Sequence, residues 1–360
     1  MESHANPEHG PSSPVMAQVA PGSSTPPPRR KSRGFGMFFF MVLLMGLLGS
    51  LLVNFVLFSI VGFESLDSEH RVREEYFSHN RRGTQKVAII SVEGAILDGQ
   101  GFVKRQIDHA GKDDDVKAVV LRVDSPGGTI TGSDYIYHHL RELAKESKIP
   151  IVVSMGGIAA SGGYYVSMAV GDTEDSIFAE PTTWTGSIGV VIPHYDLSGM
   201  LKEWGVKEDS IASHRLKTMG SFAKPMTEEE RTIFQELVDD GFDRFKEIIC
   251  QGRPKFEKNP EALDKLATGQ IYTAEQALEA GLIDRIGFIE DAVERAIELA
   301  NLDKDDVKVV KYRREPTLGD LLLGGQSRAR TPDLGRLLDL AAPRAYYLYT
   351  WLPALASSRE

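Results

Sequence analysis

The stretch IPIVVSMGGIAASGGYYVSMA, residues 149–169, joins three kinds of chain in one short run. Its first seven residues are apolar apart from Ser154 and mostly β-branched with no polar face, the pattern of a strand covered on both sides. The middle is nearly bare of side chains, with glycine and alanine around a single hydroxyl, Ser161. Residues 162–169 then read as a helix. Glycine allows a backbone to come very close to another group, so the run places a lone serine on a turn where close approach is possible. A serine just before a helix ordinarily caps it. The sharper reading is a hydroxyl held ready for chemistry.

Similar runs lie on either side. KVAIISVEGAI (86–96) and KAVVLRV (117–123) read as further buried strands ended by turn residues, and SDYIYHHLRELAK (133–145) has apolar residues at helical spacing behind Ser133 as its cap. SIFAE (176–180) and SIGVVIP (187–193) extend the alternation, residues 227–300 are rich in helix, and VKVVKY (307–312) is a last strand. Alternating strands and helices predict an α/β layered core with parallel connections. Residues 64–85, charged and polar, read as a stalk or lead-in helix before the core domain at 86–314.

The N-terminus is of another character. Residues 1–36 are mainly Pro, Ser, Gly and Ala up to a basic cluster of Arg29, Arg30, Lys31 and Arg33, and are expected to be disordered. Residues 37–63 then contain no charge, and only Ser50, Asn54 and Ser59 are polar. A bilayer-crossing helix needs about 20 apolar residues, whereas the apolar part of a signal peptide runs to about 7–15. The stretch therefore reads as one retained transmembrane helix. The basic cluster keeps the N-terminus in the cytoplasm and puts the rest of the chain on the extracytoplasmic side. The tail, 315–360, ends in LGRLLDLAAPRAYYLYTWLPAL (334–355), which suits a packed helix or, through Tyr346, Tyr347, Tyr349 and Trp351, a membrane-interface segment.

A net charge of −10 without a Lys/Arg stripe argues against nucleic acid as partner. Cys250 is the only cysteine, and H-E-x-x-H is absent, so neither an intrachain disulfide nor a zinc site is expected, and no cofactor is called for. The glycine spacing at Gly157 and Gly162 lacks the Lys and Ser/Thr of a phosphate loop, and AASGG lacks the G-x-S-x-G of a hydrolase elbow. Three Gly-rich segments remain, DSPGGTITG (124–132), GGIAASGGYY (156–165) and TGSIG (185–189), each following a strand. In layered α/β folds such segments meet at the carboxyl ends of the strands. The amides of Gly128 and Gly162 are candidates for an oxyanion hole, whose donors are worth about 2.7–4 kcal/mol each.

DSPGG, MGGIAASGGYYVSMA, TGSIGV and SHRLKTMGSFAKPMTEEE (213–230) resemble, in order and spacing, the SppA-type signal peptide peptidases, peptidase family S49, which share the ClpP/crotonase fold. The resemblance spans roughly residues 86–300. It implies Ser161 as nucleophile, Lys217 as general base, the amides of Gly128 and Gly162 as oxyanion hole and Ser187 as the residue orienting the lysine. Lys224 is the competing base. A lysine amine ordinarily titrates near about 10.4, so a Ser-Lys dyad works only where burial favours the neutral amine. The resemblance also implies a ring-like homo-oligomer with serine and lysine drawn from adjacent subunits, and hydrophobic peptide substrates, remnant signal peptides among them, bound as an added strand. Three rivals stand beside it: a triad of Ser161 with His194 or His214 and an Asp, an acyl-thioester enzyme of the crotonase kind, and an inactive membrane scaffold on the same fold.

Overall fold

The structure, a computed structural model, describes residues 33–66, 72–315 and 346–348. The chain divides into two units, residues 1–68 and 69–360. Among the described residues the first unit holds one helix, α1 (Arg33–Leu66), whose apolar part Met37–Phe55 is wholly unburied and long enough to cross a membrane. The expected disorder of residues 1–36 lies outside the described residues up to position 32, and 33–36 are already helical.

The second unit is a mixed α/β domain. In chain order its described elements are β1 (Val72–His79), β2 (Gln85–Glu93), α2 (Phe102–Lys112), β3 (Val116–Ser125), β4 (Gly127–Thr129), α3 (Ile130–Glu146), β5 (Ile151–Ala160), α4 (Gly162–Ser167), β6 (Ile177–Ala179), β7 (Trp184–Gly186), α5 (Ser198–Glu203), α6 (Glu228–Gly252), α7 (Pro254–Glu257), α8 (Pro260–Leu266), β8 (Ile271–Thr273), α9 (Ala274–Ala280), β9 (Arg285–Ile286), α10 (Ile289–Leu299), β10 (Val307–Arg314) and β11 (Tyr346–Leu348). The main sheet runs β1-β10-β2-β3-β5-β6-β9, with β7 beside the end of β5 and β8 beside β7. Pairing is parallel from β10 through to β9, and antiparallel at β1/β10 and β7/β8.

Side chains alternate across a strand, and the central strands bury both sets. Ala88, Ile90, Val119, Leu121 and Val153 pack with α2, α3, α4 and α6, while Val87, Ile89, Ala118, Val120 and Val152 face Ala292, Val293, Ala296 and Ile297 of α10. Continuous apolar runs are what two covered faces require.

Several expectations are corrected. Val72–His79 lies within the supposed stalk but is a strand, paired antiparallel with β10 from Val72↔Arg314 to His79↔Lys308 with an irregularity between Tyr76 and Ser78. The helix expected to begin behind Ser133 starts a turn earlier: Thr129 caps α3 by accepting from Gly132 N, and Ser133 is buried inside it, donating to Thr129 O at 2.9 Å. SIGVVIP forms no extended strand, because Ser187 turns the chain at φ 51° just after β7, and Ile188 drops into the core. Strand β5 runs on through Ala160, so Gly156 and Gly157 belong to strand, not loop. In the tail, Tyr346–Leu348 is extended where a helix was one expectation, and its remaining residues, with the membrane-interface reading that falls on them, lie outside those described.

Candidate active site

Ser161 sits where β5 stops and α4 begins. Its backbone is at φ 54° and ψ −115°, a region that L residues rarely enter. Strain of this kind costs about 1–3 kcal/mol and persists only where surroundings enforce it. Here the enforcement is visible: Ser161 N–H donates to Gly186 O at 2.7 Å, and its carbonyl accepts from Tyr165 N at 2.8 Å. Tyr164 and Tyr165, both fully buried, anchor the helix that follows. The Tyr164 hydroxyl donates to Leu282 O at 2.8 Å, and burial pushes it well above the usual phenol range. The Tyr165 ring lies 5.1 Å from that of Phe245, tilted at 55°, and its hydroxyl donates to Asp134.

The Ser161 side chain does not cap α4. Its position is that of a cap, but its hydroxyl makes no hydrogen bond among the described residues. Neither His194 nor His214 reaches it. His194 Nε2 lies 3.4 Å from Ser221 O, and His214 Nδ1 accepts from Leu216 N at 3.3 Å.

Glycines let the neighbouring elements close around this bend. A Cβ on Gly128 would overlap the Ile96 carbonyl, to which the chain is bridged there, and one on Gly163 would fall 2.6 Å from Ser125 O. A Cβ on Gly162 would meet Ser133 Oγ and lie 3.1 Å from Gly128 N. Gly128 and Gly162, drawn from different segments, are therefore in direct contact beside Ser161. Ser187 is close as well, since it follows Gly186, the acceptor of the Ser161 amide. It is buried, with its own N–H donating to Gln270 O at 2.7 Å.

Lys217 makes no hydrogen bond to Ser161. It lies on a 3-10 turn, Arg215–Thr218, and is exposed, with an ammonium that makes no hydrogen bond or ion pair among the described residues. A single chain thus brings Ser161, Gly128, Gly162 and Ser187 together but gives no contact between Lys217 and Ser161. Lys224, the competing base, is already engaged. Its ammonium lies 2.6 Å from Glu230, which is 2% exposed and also closes the capping box of α6 with Thr227. That ion pair, with the Thr227 amide, holds the Glu230 carboxyl below the usual carboxylate range. Sequence reading missed Glu230 as the partner of Lys224. The signal was present in TEEE (227–230), a threonine with glutamate three residues later.

Fold and bend define a class: an α/β protein with a mostly parallel sheet and a strained serine at a strand-to-helix junction, flanked by glycine amides. Residues 143–303 match the model of peptidase family S49, a span that includes α4 and both candidate lysines. Protease 4 of Haemophilus influenzae is 35% identical over 272 residues, covering 72% of this chain and 43% of that protein. A protein of Enterococcus faecium named for the SppA signal peptide peptidases is 38% identical, over 65% of this chain and 68% of the relative. The chloroplastic serine protease SPPA of Arabidopsis thaliana is 30% identical over 67% of this chain and 37% of its own length. This chain spans less than half the length of Protease 4, and somewhat over two thirds of the Enterococcus protein. The chain belongs to peptidase family S49, among its SppA-type members.

Proposed function

We propose that the chain is a membrane-anchored serine endopeptidase that cleaves hydrophobic peptides, remnant signal peptides among them, through a dyad of Ser161 and Lys217. The observation that carries this reading is the uncapped hydroxyl of Ser161, held at positive φ against Gly128 and Gly162. In this scheme the neutral amine of Lys217 takes the Ser161 proton as Oγ attacks the peptide carbonyl. The amides of Gly128 and Gly162 hold the resulting oxyanion, the departing amine leaves with the proton, and water then releases the acyl group. Ser187 orients the lysine. The engagement of Lys224 with Glu230 favours Lys217 as base.

A lysine base needs water-poor surroundings, and Lys217 is exposed in the single chain. A neighbouring copy supplies them in this reading, so assembly precedes activity. Support comes from the segment around Lys217: Trp204 is 70% exposed and Ile211 fully so, with Tyr195, Val206 and Phe222 half exposed or nearly so. Large apolar residues clustered in the open mark an interaction surface. The apolar helix α1 and the basic cluster before it support a cytoplasmic N-terminus and an extracytoplasmic catalytic domain.

The test is mass spectrometry of products from a synthetic signal peptide. The intact protein is expected to cleave it, while Ser161→Ala and Lys217→Ala both abolish cleavage. A fluorophosphonate adduct on Ser161 is expected in the assembled protein, and its absence, with no cleavage, returns the scaffold reading.

A further inference from the structure

Ser125 ends β3 beside the site and is fully buried, yet the dyad scheme gives its hydroxyl no part. That hydroxyl ties two segments together. It donates to Gly94 O at 2.6 Å and accepts from Gly127 N at 3.1 Å. Gly94 and Gly127 both lie at positive φ, 73° and 99°, so the hydroxyl joins the bends that follow β2 and β3. The frame continues through Ile96, whose N–H donates to Gly127 O at 2.9 Å and whose carbonyl accepts from Thr129 N at 2.8 Å. Along a strand, successive residues direct their N–H groups to opposite sides. Thr129 gives its amide to Ile96, so Gly128 sends its own the other way, and a Cβ on Gly162 would stand 3.1 Å from Gly128 N. The backbone of Ser125 reaches the serine side as well. It pairs with Ala159 near the end of β5, and its carbonyl is the atom that a Cβ on Gly163 would strike.

We infer that Ser125 is a positioning residue for the reaction, its hydroxyl locking the Gly127–Gly128 peptide so that the Gly128 amide is aimed at the oxyanion. The inference rests on the peptidase reading above and adds to it a residue that touches neither substrate nor nucleophile. An oxyanion donor lowers the barrier because it is in place before the charge develops, so whatever fixes its direction acts on the transition state and not on the bound peptide. Glycine at positions 127 and 128 leaves that stretch of backbone with little stiffness of its own. One buried hydroxyl, donating and accepting at once, supplies it. Alanine at 125 would keep the fold of β3 but leave Gly127 N–H and Gly94 C=O without their shared partner.

The experiment compares the full chain in detergent micelles with Ser125→Ala, below the melting temperature of each. On a synthetic apolar peptide, Ser125→Ala is expected to lower kcat by about tenfold or more while KM stays within about twofold, the pattern of an interaction made only in the transition state. A boronic acid analogue of the same peptide, whose tetrahedral adduct with Ser161 places an oxygen in the hole, should lose affinity in step with kcat. Binding of the dye-labelled peptide itself, measured in the Ser161→Ala background, should not change when Ser125→Ala is added. A merely structural role would weaken peptide and boronate alike. Should the alanine form fail to fold, Ser125→Cys carries the same test, being close in size with a weaker donor and acceptor. Parent-like kcat and boronate affinity in the variant, or equal losses of peptide and boronate binding, would overturn the inference and leave the peptidase reading in place. A parent that hydrolyses no peptide and takes no fluorophosphonate on Ser161 sinks the peptidase reading, and this inference with it.

Discussion

At Ser161 the local conformation and the chemistry pull in opposite directions. A β-carbon at φ 54° is strained, and glycine would sit there without cost. Ser161→Gly is therefore expected to leave thermal stability unchanged or raise it by up to about 1 kcal/mol while abolishing hydrolysis, measurable by calorimetry beside the peptide assay. Ser161→Ala, which keeps the strain, should match the parent in stability. A cap would behave otherwise, since losing a capping hydroxyl costs about 1 kcal/mol. Gly128 makes the complementary case. Any side chain there overlaps the Ile96 carbonyl, so Gly128→Ala must push β4 away from Ile96. If the chain still folds, as circular dichroism would show, displacing this proposed oxyanion donor should lower kcat by about 10²–10³.

The elements differ in how far their residues announce them. β2, β3 and β5 were readable because both faces are buried, and burial on both faces leaves apolar residues with no alternation to obscure them. β1 was not: VREEYFSH is an edge strand with exposed charges, and its pairing depends on β10, some 230 positions away. Ser133 mimicked a cap, but Thr129 one turn earlier took that role, and a hydroxyl inside a helix can satisfy itself on the preceding turn. Of the site, the glycines and Ser161 were legible as a Gly-rich turn, whereas the uncapped rotamer and the Gly128–Gly162 contact are tertiary facts. Helix α6 carries a prediction at this scale. Because Lys224 and the Thr227 amide stabilise the ionised Glu230, its folded pKa lies below the unfolded value of about 4.3. That stabilisation is present above the unfolded value and is lost as pH falls through the folded one. Glu230→Gln should therefore melt earlier than the parent at neutral pH, and the two curves should converge below about pH 4.

For the whole molecule, the contrast between an exposed Lys217 and a buried Ser161, with no hydrogen bond between them, has the widest consequence. Within one chain the lysine is exposed on a turn flanked by open apolar residues, while the serine is buried at the end of β5. If one copy supplies the serine and its neighbour the lysine, inactive variants complement each other. Ser161→Ala carries an intact lysine, and Lys217→Ala carries an intact serine. Co-assembled in equal amounts, some interfaces pair the good serine with the good lysine, and hydrolysis should return to a sizeable fraction of the parent rate, on the order of a quarter where each active site draws on one random neighbour. A dyad formed within each chain gives no recovery at any mixing ratio. The same geometry makes the open segment a requirement: Trp204→Asp places a charge amid apolar residues that an interface would bury, and should shift the protein to smaller species in analytical ultracentrifugation while peptide hydrolysis falls in parallel. Retained activity in fully dissociated Trp204→Asp would place both halves of the dyad in one chain, and the turn at Arg215–Thr218 would then have to close onto Ser161 by a movement of its own.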